Sequence, residues 1–410
     1  MLQYNDRAYE PALEPIPFPH VDMAELHNAK KITCPVYDPK LCSTTKQQVL
    51  VYNSSLETRS AFIIGRRLQD AMVNKGQIGG QVVHARILVP CREHMFNEQY
   101  ENDHSEGSHA EWQVTDREVA IKELFLDKIS QCEQQMNSVK AEIKAIRFLQ
   151  RISRIRKQEN LPPLQHISIP LNILTGRDQS NKNRSCLWIV MRYHGTSCDL
   201  HDLIVRKFGQ ASHFSECETK RLFFQILMAL QELQSLGISH GDLSAENFVV
   251  DHHSKTIKVI DFSTNVRVPE ERSEDNVVRR RLIRYSGNRV GKIMYIAPEM
   301  LSGHSYDGFA IDLWSCGILL FCMVAGEFPF ELAIQGNERF DAFTSDNSLV
   351  FEQALVHYNM QQMSPCLQNL LKRMLAKNPL KRPTLHQVLN HEWFLPENDI
   401  EERSEKCILF

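Results

Sequence analysis

His240-Gly241-Asp242-Leu243-Ser244-Ala245-Glu246-Asn247 is the stretch that decides how this chain of 410 residues is read. It follows an amphipathic helical pattern, Thr219–Leu236, stopped by Gly237, a residue suited to the left-handed turn past a helix end. Phe248-Val249-Val250 comes next and reads as a short strand. The octapeptide is therefore a loop between a helix and a strand, with two chemically useful groups in it. Asp242 is a carboxylate able to accept a hydroxyl proton. Asn247 carries an amide oxygen that a hard metal ion can use. Further on, the apolar run Ile257–Ile260 ends in Asp261-Phe262-Ser263. A carboxylate at a strand end is again a ligand of the kind magnesium selects.

Phosphoryl transfer asks for a cation on the phosphates, oxygen ligands on magnesium and a base near the attacking hydroxyl. Working toward the N-terminus, Val119-Ala120-Ile121-Lys122 lies on an expected strand, Glu118–Leu124. A lysine on a rigid strand can hold an ammonium against phosphates; a strand that ends in an exposed lysine is the plainer alternative. Ser138–Leu149 has Val139, Ile143, Ile146 and Leu149 at helical spacing. Glu142 on that helix is a candidate partner for Lys122. Glu133 competes with it, and a solvated helix glutamate is the plainer reading of either.

The remaining pattern gives the organisation. Residues 1–57, rich in Pro, Asn and Asp, read as an irregular extension. Strands are expected at Ala61–Leu68, Gln81–Val89 and Leu187–Arg192, where β-branched residues concentrate. The polar, acidic, His-containing Cys91–Asp116 reads as a loop insertion. Helices follow at Ile311–Ala325 and Ser364–Ala376. Strands with one helix, then mostly helices, imply an α+β chain with a small sheet-containing lobe and a larger helical lobe.

Composition removes some function classes. A net charge of −3 offers no basic field for nucleic acid. Eleven cysteines without a CxxC pair fit reduced thiols in the cytoplasm better than a disulfide framework. The start, Met-Leu-Gln-Tyr-Asn-Asp, lacks the basic flank and apolar run of a secretory signal. Ile311–Ala325 is interrupted by Asp312 and falls short of the roughly 18 residues of a membrane span, so it reads as a buried helix.

Taken in order, these motifs resemble the eukaryotic protein kinase family, over roughly Ala61 to Leu395. The resemblance implies a two-lobed protein kinase fold, with a kinase domain at 58–395. Its N-lobe would span about 58–191 and its C-lobe about 195–395, followed by a tail at 396–410. It implies ATP and Mg2+, protein substrates, Asp242 and Lys122 as catalytic residues, and Asn247 and Asp261 as metal ligands. Met191-Arg192-Tyr193-His194 matches the segment linking the lobes. Met191 would back the adenine pocket, and backbone near Arg192 and His194 would bind the adenine edge. Asp199 lies where the family often contacts ribose, and it would serve equally as a helix N-cap. Gly80 and Val82 align with the end of the glycine-rich loop. The family pattern also implies that Glu299 of Ala297-Pro298-Glu299 pairs with Arg382. Glu246-Asn247 and the ending Arg382-Pro383-Thr384 through His391-Glu392-Trp393-Phe394 are similar to the serine/threonine branch.

Several positions depart from that pattern. Lys75 and Gln77 stand where two loop glycines are usual. Gly241 replaces an Arg that usually pairs with a phosphorylated activation segment, and Ser263 replaces the last Gly of the Asp-Phe-Gly motif. Ser244 replaces a catalytic-loop Lys, while Lys292 stands where a Thr is usual. Lys292 either substitutes for the missing cation or is a surface lysine. The expected function is thus a serine/threonine protein kinase, and the alternative is a kinase-fold scaffold with little or no catalysis. Cys407-Ile408-Leu409-Phe410 fits a C-a-a-X prenylation pattern without a polybasic neighbour, which implies at most weak membrane association.

Overall fold

The computed structural model describes residues 12–23, 26–53, 59–73, 77–91, 112–181, 183–195, 199–210, 214–251, 256–272, 278–280, 282–285, 291–358 and 363–394. The C-a-a-X expectation at Cys407 and the expectation for Lys75 lie outside the described residues. The chain divides into a barrel unit, Pro19–Arg154 with Ile169–Tyr193, and a helical unit, Met1–Phe18, Ile155–Ser168 and His194–Phe410.

The barrel unit contains β1 (His27–Asp38), β2 (Ser43–Asn53), β3 (Arg59–Val73), β4 (Gln77–Pro90), β5 (Trp112–Phe125), β6 (Asn172–Asp178) and β7 (Arg184–Arg192). It also holds α1 (Leu126–Ile129) and most of α2 (Glu133–Gln158). The strands close in the order β1-β2-β3-β4-β5-β7-β6, and β1 pairs in parallel with β6 through His27–Leu174 to Lys31–Asp178. Side chains alternate between the two faces of a strand. The inward set includes Ala29, Leu50, Phe62, Val83, Val119, Ile121, Leu174, Trp188 and Val190, all buried in one cluster.

Two expectations are corrected here. Residues 27–53 are not irregular: they form β1 and β2 and close the barrel. Their alternation is hidden because one inward position of β1 is Lys31, buried at 5% exposure, where an apolar residue would have announced the strand. The loop insertion is also too long at its C-terminal end, since β5 already begins at Trp112. Trp112 and Val114 are buried against Val36, Val49 and Leu88, and their burial outweighs the polar character of Thr115 and Asp116.

The helical unit contains α3 (Leu200–Gly209), α4 (Glu216–Ser235), β8 (Ile238–Ser239), β9 (Phe248–Asp251), β10 (Thr256–Val259), β11 (Val266–Arg267), β12 (Glu270–Arg272), β13 (Val278–Arg280), α5 (Pro298–Leu301), α6 (Gly308–Ala325), α7 (Glu338–Phe343), α8 (Ser348–His357), α9 (Pro365–Met374) and α10 (Leu385–Leu389). Ser215 and Glu218 form a reciprocal capping box that starts α4. Asp307 caps α6, whose side chains are buried through most of its length. Among the described residues α6 is the one helix long and apolar enough to cross a membrane, and it is 83% buried within the protein. Glu299 and Arg382 meet in a bidentate pair with both contacts at 2.7 Å, as the family pattern implies. The acidic Glu270 and Glu271 stand in backbone register with the basic Arg280 and Arg279.

The first described residues are tied to this unit as well. Leu13 N–H donates to the Leu282 carbonyl at 2.9 Å, and Arg284 N–H donates back to Leu13 at 2.8 Å. Ile16 N–H donates to the Arg267 carbonyl at 3.0 Å.

Candidate active site

In the barrel unit, β5 places Lys122 with its ammonium 2.7 Å from Glu142 Oε1 on α2. Both residues are buried. Glu133, the competing candidate, is exposed at the start of the same helix. Val82 is buried on β4 directly across from Lys122. Gly80 has a different reason to be glycine than a phosphate would give. A Cβ there would lie 1.9 Å from the Glu123 carbonyl, so the β4–β5 pairing itself forbids a side chain. Met191 and Arg192 end β7, opposite Ala120 and Val119.

In the helical unit, His240–Asn247 is held by Asp312, which in the sequence stands out only as an interruption of the apolar run Ile311–Ala325. Asp312 on α6 accepts the His240 N–H at 2.7 Å and the Gly241 N–H at 2.9 Å. Burial pushes the Asp312 carboxyl up to about 6, against the opposing pull of His240 and the two amides. His240, fully enclosed, has its Nε2 3.1 Å from the Ile260 carbonyl, and burial lowers its pKa. Gly241 has a φ of +77°, and a Cβ on it would lie 2.9 Å from the Thr264 carbonyl. An arginine therefore does not fit this backbone, which is a physical reason for the family's Arg to be missing.

Asp242 is mostly buried, and burial is the main cause that raises its pKa to about 6. The Lys292 N–H and the Lys292 charge act in the opposite direction. The Asn247 amide donates to the Asp242 carbonyl at 2.7 Å, with Oδ2 at 3.4 Å. Ile260 N–H donates to the Asn247 carbonyl at 2.9 Å, which sets Asp261 next to this loop. Asp261 adopts a φ of +63°, a left-handed conformation rare for a residue with a side chain. Such backbone strain concentrates at functional positions. Ser263 N–H donates to Asp261 Oδ1 at 3.2 Å, so the serine in the glycine position has its amide engaged with the carboxylate.

Asn247 uses its amide nitrogen on Asp242, which leaves the oxygen as its ligand atom. With the Asp261 carboxylate this is an all-oxygen donor set, and it fits magnesium rather than a thiophilic ion. Two other sequence candidates have their side chains engaged elsewhere. His194 Nε2 is 3.0 Å from Ser168 Oγ. Asp199 Oδ1 accepts the Asp202 N–H at 2.7 Å as the N-cap of α3, the second of its two expected roles. Burial raises the Asp199 pKa.

The model of the protein kinase domain matches residues 107–394. The chain belongs to the protein kinase family. Its fold is that family's α+β, two-lobed fold. The chain is similar to CBL-interacting protein kinase 1 of Oryza sativa subsp. japonica, 32% identical over 191 residues, covering 46% of this chain and 36% of that protein. It is similar to the carbon catabolite-derepressing protein kinase of Candida glabrata, 31% identical over 218 residues, covering 52% and 30%. It is also similar to the serine/threonine-protein kinase SRK2C of Arabidopsis thaliana, 29% identical over 262 residues, covering 63% and 70%. The chain spans about a third of the length of the first two of these relatives.

Proposed function

We propose that this protein kinase transfers the γ-phosphate of ATP to serine or threonine hydroxyls of proteins. The observation that carries the reading is the Asp242 loop. The Asp242 carboxylate is mostly buried beside a strained aspartate, and the Asn247 amide donates to the Asp242 backbone carbonyl, which leaves oxygen atoms as the ligands on offer. In this reading Asp242 takes the hydroxyl proton and Lys122, fixed by Glu142, holds phosphate oxygens. Asn247 and Asp261 hold Mg2+, which neutralises phosphate charge when bound. Met191 and the backbone of Arg192 and His194 meet the adenine, Asp199 the ribose through the carboxylate oxygen that does not cap α3, and β4 at Gly80 and Val82 the nucleotide. Eleven scattered cysteines support a cytoplasmic setting as part of the same proposal. Radiolabelled ATP with magnesium and generic protein substrates tests the reading. Transfer by the wild-type protein that Asp242→Asn abolishes is the expected result; no transfer by either would leave a kinase-fold scaffold.

Activity in this reading does not depend on a phosphate in the segment after Asp261. Gly241 cannot supply an arginine to bind one. The backbone bonds from Leu13 and Ile16 already tie down Arg267, Leu282 and Arg284 of that segment. Phosphatase treatment should leave most of the activity, and loss of most of it would contradict this claim.

A further inference from the structure

We propose that Lys292 is a catalytic residue whose ammonium contacts the transferred phosphoryl group, with Ser244 and Glu246 as its holders; the proposal rests on the phosphoryl-transfer reading above. The geometry comes from one short segment laid against the Asp242 loop. Gly291 has a φ of +95°, and a Cβ there would lie 2.9 Å from the Gly241 carbonyl and 3.1 Å from Asp242 Oδ1. Only glycine lets the segment come this close. The next residue uses the approach: Lys292 N–H donates to Asp242 Oδ1 at 2.9 Å. Its side chain then returns to the same loop, with Nζ 2.9 Å from Ser244 Oγ and 2.9 Å from Glu246 Oε2.

A lysine that was only solvating a surface would gain little from this arrangement. The Lys292–Glu246 pair is about 40% exposed on both sides, and such pairs contribute little to stability. What the contacts do is fix a long, flexible side chain in one place beside Asp242. Ammonium has three donors; among the described residues Ser244 Oγ takes one, and the Glu246 carboxylate pairs with the charge at 2.9 Å. A remaining donor can serve an anion. During transfer the substrate hydroxyl oxygen forms a bond to the γ-phosphorus. The bridging P–O bond breaks with its electron pair leaving on ADP, and the hydroxyl proton passes to Asp242. The phosphoryl oxygens carry the negative charge throughout, so a fixed cation next to the base lowers the barrier by electrostatic preorganisation.

The test needs a readout other than turnover. Affinities for ADP and for a non-hydrolysable ATP analogue, measured by calorimetry with magnesium, give the contribution of the γ-phosphate. Lys292→Met should erase about tenfold of the preference for the triphosphate and lower kcat by about 10- to 100-fold, with KM for the protein substrate little changed. Lys292→Arg should recover part of both. The paired exchange Ser244→Lys with Lys292→Thr returns a cation to the same spot and should outperform Lys292→Thr alone. An unchanged triphosphate preference in Lys292→Met, or a paired exchange no better than the single variant, overturns the proposal. The two readings fail separately. A wild-type protein that prefers the triphosphate through Lys292 but transfers nothing would remove the kinase activity and keep the contact.

Discussion

Lys122 and Glu123 are neighbours on β5, and each makes a buried ion pair, but on opposite faces of the strand. Lys122 turns to Glu142 on α2 at 2.7 Å. Glu123 turns into the barrel, where Lys31 lies 3.0 Å from its Oε1. Trp188 donates to Oε1 at 2.8 Å and Gln81 to Oε2 at 2.7 Å, while Asp178 lies 3.4 Å from Lys31. The two pairs look alike in length and burial, but they do different jobs. In the proposed function, one presents a cation for chemistry. The other fastens β1, the strand that closes the barrel, to the strand that bears Lys122. Similar geometry thus says nothing about function until the face of the strand is known.

The largest expected effect separates the two faces by activity. Lys122→Met should reduce phosphoryl transfer by at least about 100-fold, because in the proposed function it removes the cation that holds the phosphates. It should also cost stability, since Glu142 is left buried with its lysine gone. Lys31→Met should behave in the opposite sense. Removing one partner of a buried pair costs about 3–5 kcal/mol. Here the lower end is expected, because Trp188 and Gln81 still donate to Glu123. Urea denaturation followed by tryptophan fluorescence measures that cost, and the activity per folded molecule should stay within a few-fold of wild type. A Lys31→Met protein of full stability, or one that is folded but inactive, would break the distinction.

The same comparison shows what could be read from the sequence. Lys122, Glu142, Asp242, Asn247 and Asp261 stand out as candidates because phosphoryl transfer needs those residue types and their order resembles that of the protein kinase family. The Glu142 assignment over Glu133 needed only the helical register that sets Glu142 toward the strand. Lys31 and Glu123 were not legible. An inward charge breaks the alternation by which a strand is recognised, and its partner is 92 positions away. For that reason β1 and β2 read as an irregular extension and the barrel was missed. Asp312 lay inside a recognised helix, but nothing local says that its carboxylate reaches back to the amides of His240 and Gly241. A buried aspartate in an apolar run was the available signal, since such a group needs partners.

A third ion pair on β5 supplies the control with the smallest effect. Asp116, near the start of the strand, lies 2.6 Å from Lys40. That distance is shorter than either buried contact of Lys122 or Lys31, so contact length alone would rank it first. Exposure reverses the ranking: the two side chains are 67% and 76% exposed. In water-like dielectric the attraction is largely cancelled by solvation and by the entropy of holding two mobile side chains together. Lys40→Ala should therefore change stability by less than about 0.5 kcal/mol and leave activity untouched. The residual effect should disappear in added salt, because charges at the surface are screened over about 10 Å at 0.1 M. The Lys31→Met cost should persist in the same salt, since its network lies inside the barrel. Measuring both variants at low and high salt sharpens the comparison. Equal salt sensitivity would mean that burial is not what distinguishes the pairs on this strand.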